Sequence, residues 1–245
     1  MNFNLLDTIY DLFSDWAKDN SFYCSKGCST CCTQNVSLTT LEARRIAHFL
    51  VENNTVDKIS NKLDSSSGVK GPHQSTNQYV QEILTGKAGE EEPVDLSRSC
   101  PFLEDNICSI YAVRPFSCRC FSSNVPCSQS TSAEVPQHYL LGSLAVMQIL
   151  EHLDHPRNWG YLTDMLLVIL NTPEFQHQKT TCENPHKNKS QSALLTSQKI
   201  SGFFLPESEK KKIAPLLQSI FGCSVGVTTI GQILKIENIL HEKER

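Results

Sequence analysis

The sequence predicts a mainly α-helical protein with a small irregular or hairpin insert rich in cysteine and a helical C-terminal part. Two observations predict this fold class. Apolar residues recur at helical spacing near both ends of the chain, and eight of the eleven cysteines lie between residues 24 and 120. We expect residues 1–130 to form a cysteine-cluster domain that binds metal, and residues 131–245 to form a helical region that packs on it or makes an appendage.

The first two elements are predicted helices on either side of the first cysteines. Apolar residues between Leu5 and Trp16 share one helical face, with acidic residues on the others. Thr39 and Glu42 stand at the spacing of a capping box, in which each side chain satisfies a free backbone amide at the other position. A helix from about Thr40 to Asn53 follows from this box and from the apolar face behind it.

The sequence pattern in the middle of the chain predicts a connecting loop, a short helix and a turn. Residues 61–77 are polar and rich in serine and glycine, which is typical of a connection, and a short helix is expected over 78–84. Asp105-Asn106 stands between two short apolar runs, a pattern that predicts a small hairpin or tight loop. Such a turn would bring Cys100 and Cys108 to the same end.

The second half is predicted to form helices without a metal-binding pattern. Their expected ranges are 136–152, 161–170, 207–214, 215–221 and 228–243, with Pro215 breaking the tail. The polar stretch 176–191 is interpreted as a surface loop. It contains Cys182 and His186, but one Cys-His pair lacks the second pair of ligands that a zinc site needs.

Composition and charge exclude several classes of partner. The net charge of -4 carries no basic excess, so we expect no nucleic acid partner. The first 20 residues lack the basic start of a signal peptide, and no stretch approaches the roughly 18 apolar residues of a membrane span. We therefore expect a cytoplasmic protein without a membrane partner. In that reducing compartment, clustered thiols indicate metal binding or redox work rather than disulfides.

The cysteines form two groups of potential thiolate ligands. Because successive side chains diverge in regular structure, adjacent cysteines rarely bind one metal. We hypothesise that one of Cys31 and Cys32 joins Cys24 and Cys28, while the other faces the second group at Cys100, Cys108 or Cys118. Zinc and a [4Fe–4S] cluster both accept four thiolates, so ligand type leaves both metals open. The excess of thiols over histidines favours iron.

Several separated motifs resemble one family. They are the cysteine run that ends in Cys31-Cys32, the Thr39–Glu42 helix start, Cys100-Pro101-Phe102-Leu103, Cys108-Ser109-Ile110-Tyr111, and Arg114-Pro115-x-x-Cys118-Arg119. In this order, over about residues 20–125, they resemble the CxxCxxCC cysteine-cluster family. Its members are candidate zinc- or iron-chelating domains of the YkgJ type and are related to flagellin lysine N-methylases. One departure is that three residues, not two, separate Cys24 from Cys28.

The resemblance implies a set of metal ligands and a function. The implied ligands are Cys24, Cys28, Cys31, Cys32, Cys100, Cys108 and Cys118. Cys120 lies outside the family pattern, and we include it as a further candidate metal ligand. The implied function is to hold an iron–sulfur cluster, of the 4Fe-4S kind, or zinc. One alternative is a protein lysine N-methyltransferase that uses S-adenosylmethionine, and another is a metal-stapled module that binds a protein partner. No sequence motif identifies a catalytic residue.

Overall fold

Helices make up most of the regular structure, as the sequence predicts. The computed structural model describes residues 3–25, 27–66, 71–87, 98–127, 133–176 and 194–234. The helices are α1 (Phe3–Ala17), α2 (Thr40–Glu52), α3 (Val56–Ser66), α4 (Thr76–Leu84), α5 (Phe116–Arg119), α6 (Gln137–Asp154), α7 (Leu162–Leu170), α8 (Pro173–Gln176), α9 (Glu207–Gly222) and α10 (Ile230–Leu234). Within these segments no helix is both long enough and apolar enough to cross a membrane.

The strands are short and pair in antiparallel fashion. The strands are β1 (Ser37–Thr39), β2 (Leu103–Glu104), β3 (Ile107–Cys108), β4 (Asn158–Tyr161), β5 (Leu195–Thr196), β6 (Ser224–Val225) and β7 (Thr228–Thr229). One three-stranded sheet has the order β1-β4-β5 and pairs Leu38 with Gly160. The pairs β2-β3 and β6-β7 are hairpins. Strands of two to four residues are too short to show a period of two, so the sequence did not predict the sheet.

Two apolar cores hold the helices together. The first joins α1, α6 and α9 through fully buried residues such as Ile9, Ile149 and Leu217. The second joins α2, α3 and α7 through residues such as Ile46 and Leu166. Each core therefore draws on both sides of residue 130, and the predicted division of the chain into two regions there stays a prediction.

The N-termini of helices α2 and α4 are each capped by side chains. The Thr39 hydroxyl accepts a hydrogen bond from the Glu42 backbone N–H, and the Glu42 carboxylate accepts one from the Thr39 N–H at 2.9 Å, which confirms the predicted capping box. Ser75 and Gln78 form a second box, so α4 begins at Thr76 rather than at the predicted residue 78. A cap satisfies amides that the first helical turn leaves free.

Two further predictions about element boundaries were wrong. Helix α9 continues through Pro215, although a break was predicted there. Ile213, Leu216 and Leu217 are almost fully buried around the proline, and this packing compensates for the backbone hydrogen bond that proline cannot make. The polar stretch from residue 61 was interpreted as a connection, but α3 extends to Ser66 because Val56, Ile59 and Leu63 form a buried stripe.

Other sequence predictions fall partly outside the described residues. A helix was predicted over 228–243, but Thr228–Thr229 form β7 and the helix α10 begins at Ile230. Residues after 234 lie outside the described residues. Cys182, His186 and the loop that was predicted around them also lie outside the described residues.

Candidate metal centre

A solvent-open cavity lies where the two cysteine-rich segments meet. It has about 1020 Å³ of empty space, and Tyr111, Arg114 and Leu162 contribute to its wall. Seven cysteines line it: Cys24, Cys28, Cys31, Cys32, Cys100, Cys108 and Cys118. We call this space the cysteine cavity. The fold thus brings together all seven thiols that the family resemblance implies, although the two segments are far apart in the sequence.

The first cysteine segment is shaped by two tight turns. The Cys28 N–H donates to the Ser25 carbonyl at 3.0 Å, and the Cys32 N–H donates to the Ser29 carbonyl at 2.9 Å. Gly27 adopts a φ of 98°, a conformation that glycine tolerates and other residues rarely adopt. The turns place successive cysteines around one side of the cavity.

The second segment is joined to the first through the backbone. The Cys100 N–H donates a 2.9 Å hydrogen bond to the Cys32 carbonyl. Asp105 and Asn106 both have positive φ and form the two-residue turn of the β2-β3 hairpin, as predicted. In that hairpin Cys108 pairs with Leu103, whose N–H donates to the Cys100 carbonyl at 3.0 Å. Cys100 and Cys108 therefore reach the cavity from one small unit.

A buried carboxylate positions the helix that carries Cys118. Glu42 is 4% exposed, and one of its oxygens accepts hydrogen bonds from the Tyr10 hydroxyl at 2.7 Å and from the Phe116 N–H at 2.8 Å. The other oxygen completes the capping box at Thr39. Because Phe116 is the first residue of α5, Glu42 connects α1 and α2 to the start of the helix that bears Cys118.

Burial keeps several of the thiols protonated in the absence of metal. Desolvation raises the pKa of Cys100 to about 11 and also raises the pKa of Cys118, where nearby Cys100 and Cys108 add repulsion between negative charges. The Cys31 thiol donates a hydrogen bond to Cys32, which raises the pKa of Cys31 and lowers that of Cys32. A metal must displace protons from such thiols, so its binding will depend on pH.

Two arginines stand beside the thiols. The Arg114 guanidinium lies 3.9 Å from the ring centroid of Tyr111, a cation–π contact. Burial raises the pKa of the Cys108 thiol, and the Arg114 charge opposes this rise. Arg119 instead donates hydrogen bonds to the carbonyls of Arg114 and Ala112, at 2.9 and 2.8 Å, and so holds the loop before α5.

Neither Cys120, a candidate metal ligand from the sequence, nor Cys127 lies on the wall of the cysteine cavity. Cys120 is absent from the cavity wall and packs against the first core, where burial raises its pKa to about 12. Burial also raises the pKa of Cys24, and the charges of Cys28, Cys127 and Cys31 add to that effect. The Cys127 charge is therefore among those that act on the Cys24 thiol. The sequence offers no spacing motif that points to Cys127, because this cysteine lies outside the family pattern.

The donor set fits a thiophilic metal, and its side chains must move to bind one. Among the described residues that line the cavity, cysteine supplies every side chain of the His, Cys, Asp or Glu type. Thiolates are the ligands that zinc and iron–sulfur clusters prefer. In the described segments no group of three or more such side chains is already arranged to hold an ion. Metal binding would therefore bring the thiols together, which couples binding to local folding.

Comparison with known families identifies this part of the chain. A family model named CxxCxxCC, described as a candidate zinc- or iron-chelating domain, matches residues 23–139. Residues 23–139 belong to the CxxCxxCC family. The CxxCxxCC domain includes every cysteine of the cavity, Cys120 and Cys127, and it ends early in α6. No curated protein and no solved structure matches the chain. The relation to the YkgJ type and to flagellin lysine N-methylases stays a prediction.

Proposed function

We propose that the CxxCxxCC domain holds an iron–sulfur cluster through clustered cysteine thiolates, and that zinc is the alternative metal. One observation carries the proposal: seven thiols from two distant segments line one cavity. The family match supports zinc or iron chelation. The all-sulfur donor set favours an iron–sulfur cluster, because zinc sites commonly include histidine as well.

The residues around the thiols suit a bound centre with net negative charge. Four thiolates around one metal centre leave excess negative charge, and Arg114 at the cavity wall would offset part of it. Tyr111 holds the guanidinium in place through its ring. When bound, an iron–sulfur cluster supplies one-electron transfer, whereas zinc supplies a structural cross-link.

Anaerobic purification followed by absorbance and elemental analysis tests the proposal. We expect a brown protein with a broad band near ~400 nm and with both iron and acid-labile sulfide. A colourless protein that contains zinc would show that zinc, not an iron–sulfur cluster, is the bound metal. A protein that contains neither metal would refute metal binding. Cys118→Ser should reduce the metal content. Cys223→Ser is the matched control, since Cys223 lies at the end of α9 outside the cavity wall.

The two other functions predicted from the sequence have separate tests. The family match supports chelation and adds nothing in favour of methyl transfer. Isothermal titration of the metal-loaded protein with S-adenosylmethionine would show heat of binding only if the methyltransferase alternative is right. For the metal-stapled interaction module, a clean monomer in light scattering together with no partner retained in a pull-down would count against it.

A further inference from the structure

The cysteine cavity has more room than the ligands of a metal need. In a closed structural zinc site, four ligands surround the ion at about 2.0–2.3 Å and leave no space beside it. The cavity has about 1020 Å³ of empty space that is open to solvent. Pockets that hold small organic molecules have roughly 300–1,000 Å³. The cavity therefore has space for an organic molecule beside the thiols.

Part of the cavity wall is apolar and is held by the second core. Val36, Leu103, Ile110 and Leu162 all contribute to the wall. Val36, Ile110 and Leu162 are at most 7% exposed and belong to the second core. The Leu162 N–H donates to the Val36 carbonyl at 2.8 Å, which joins two of these residues through the backbone. Packing thus fixes this part of the wall independently of the thiols.

Two aromatic rings stand at the open side of the cavity. Phe121 is 54% exposed and Tyr111 is 37% exposed, and both contribute to the wall. Large apolar side chains that remain exposed around a concave site are typical of a surface that binds a ligand. The two rings offer flat apolar contacts to a molecule that enters the cavity.

Arg114 adds a positive charge whose hydrogen-bonding capacity the fold leaves unused. Its guanidinium lies 3.9 Å from the ring centroid of Tyr111, and its Nε is buried without a hydrogen-bond partner in the described part of the chain. No described aspartate or glutamate lies on the cavity wall to pair with it. Arg119, also on the wall, instead donates to two backbone carbonyls. A planar guanidinium matches a carboxylate, which accepts two parallel hydrogen bonds from it.

We propose that the cysteine cavity binds a small organic carboxylate with a flat apolar body. Arg114 binds the carboxylate, and Tyr111 and Phe121 contact the apolar body beside the thiols. The inference goes beyond the proposed metal-binding function, because it assigns an organic ligand to residues that are not metal ligands. It holds for either metal, since none of these three side chains is a thiol.

Titration calorimetry of the anaerobically purified, metal-loaded full chain tests the class of ligand. The probes are 2-naphthoate, its neutral amide 2-naphthamide, and acetate, which has the carboxylate without the apolar body. We expect 2-naphthoate to bind at least about tenfold more tightly than either of the others, because each of them lacks one of the two contacts. Equal affinity for 2-naphthoate and 2-naphthamide, or no binding of 2-naphthoate, would overturn the inference. Metal analysis of the same sample tests the proposed function separately.

Two substitutions test the assigned residues. Arg114→Lys keeps the charge but loses the planar pair of donors, so we expect 2-naphthoate to bind about tenfold more weakly. Phe121→Ala should weaken binding by about the same factor through lost apolar contact. It should leave the fold and the metal content unchanged, because the side chain is exposed.

Phe204→Ala is the matched control for Phe121→Ala. Phe204 is 36% exposed and lies outside the cavity wall, so its substitution should not change the affinity for 2-naphthoate. Equal losses in Phe121→Ala and Phe204→Ala would show non-specific binding and overturn the inference, as would unchanged affinity in both Arg114→Lys and Phe121→Ala. If Arg114→Lys does not fold by circular dichroism, the comparison of Phe121→Ala with Phe204→Ala decides.

Discussion

The backbone N–H of Cys100 donates a 2.9 Å hydrogen bond to the carbonyl of Cys32, and this bond joins the two cysteine-rich segments. Thr33 and Ser99 form an isolated β-bridge beside it. The backbone contacts between the two segments are few. Within the described residues, the thiols that these segments carry are not arranged in a geometry that could hold a metal ion. A metal held by both segments would add cross-links where the protein has few of its own.

Removal of metal should therefore destabilise the protein. A ligand that binds only the folded state at 100 times its dissociation constant adds about 2.7 kcal/mol to the free energy of unfolding. We expect the metal-free protein to lose at least about that amount, measured by urea denaturation followed by circular dichroism. Adding the metal back should restore the midpoint. Identical midpoints with and without metal would show that the metal does not support the fold.

Replacing Glu42 by glutamine should weaken the fold next to the metal centre. The amide would present N–H groups where the carboxylate accepts hydrogen bonds from Tyr10, Thr39 and Phe116. Unmatched buried donors cost about 1–3 kcal/mol each, so we expect the free energy of unfolding to fall by roughly 2–4 kcal/mol.

Chemical denaturation measures the effect of Glu42→Gln, and Glu52→Gln is its control. Glu52 is the exposed last residue of the same helix, and its substitution should leave stability almost unchanged. Equal effects of the two substitutions would contradict the role assigned to Glu42. Because Glu42 also holds the start of α5, Glu42→Gln should lower the metal content of the purified protein as well.

Replacing Arg114 by glutamine should weaken metal binding. The guanidinium lies at the cavity wall and offsets the negative charge that thiolates acquire when they release protons to a metal. We expect the apparent affinity to fall by about tenfold, which corresponds to about 1.4 kcal/mol. Competition against a chromophoric chelator at pH 7 measures it. Arg114→Lys keeps the charge and should retain most of the affinity, so equal losses in both variants would point to the stacking on Tyr111 instead.

Asp164 should make stability depend on pH. Burial in the first turn of α7 raises its pKa from 3.8 to about 6. The folded protein therefore binds this proton more tightly than the unfolded chain does, and the contribution of Asp164 to the free energy of unfolding increases as pH falls from 7 to 4. Asp164→Asn removes the buried charge and should stabilise the protein at pH 7 by on the order of 2 kcal/mol.

Urea denaturation of Asp164→Asn and of the unmodified protein at pH 7 and pH 4 tests this prediction. The difference between them should disappear at pH 4, where the carboxyl is largely protonated in the folded protein. The exposed Asp57, in the first turn of α3, is the matched control, because Asp57→Asn removes an acid from the start of a helix without relieving burial. A stability difference at Asp164 that does not change with pH would contradict the assigned cause.

Local patterns were enough to predict much of the fold. The apolar stripe of α1, the Thr39–Glu42 capping box and the turn at Asp105-Asn106 each depend on residues within a few positions of one another. Their geometry follows from backbone periodicity and from hydrogen bonds between near neighbours. The cysteine-containing motifs are local in the same way, and they carry the resemblance to the family whose model matches residues 23–139.

The sequence by itself determined the helical class, the main helices and the thiol donors. The tertiary structure decided which cysteines meet: Cys32 lies beside Cys100, seven thiols line one cavity, and Cys120 packs against a core. It also decided the pairing of β1 with β4 and the passage of α9 through Pro215. The physical reason is that chain spacing limits only near neighbours, whereas contacts between distant segments depend on how the apolar faces of all the helices pack together.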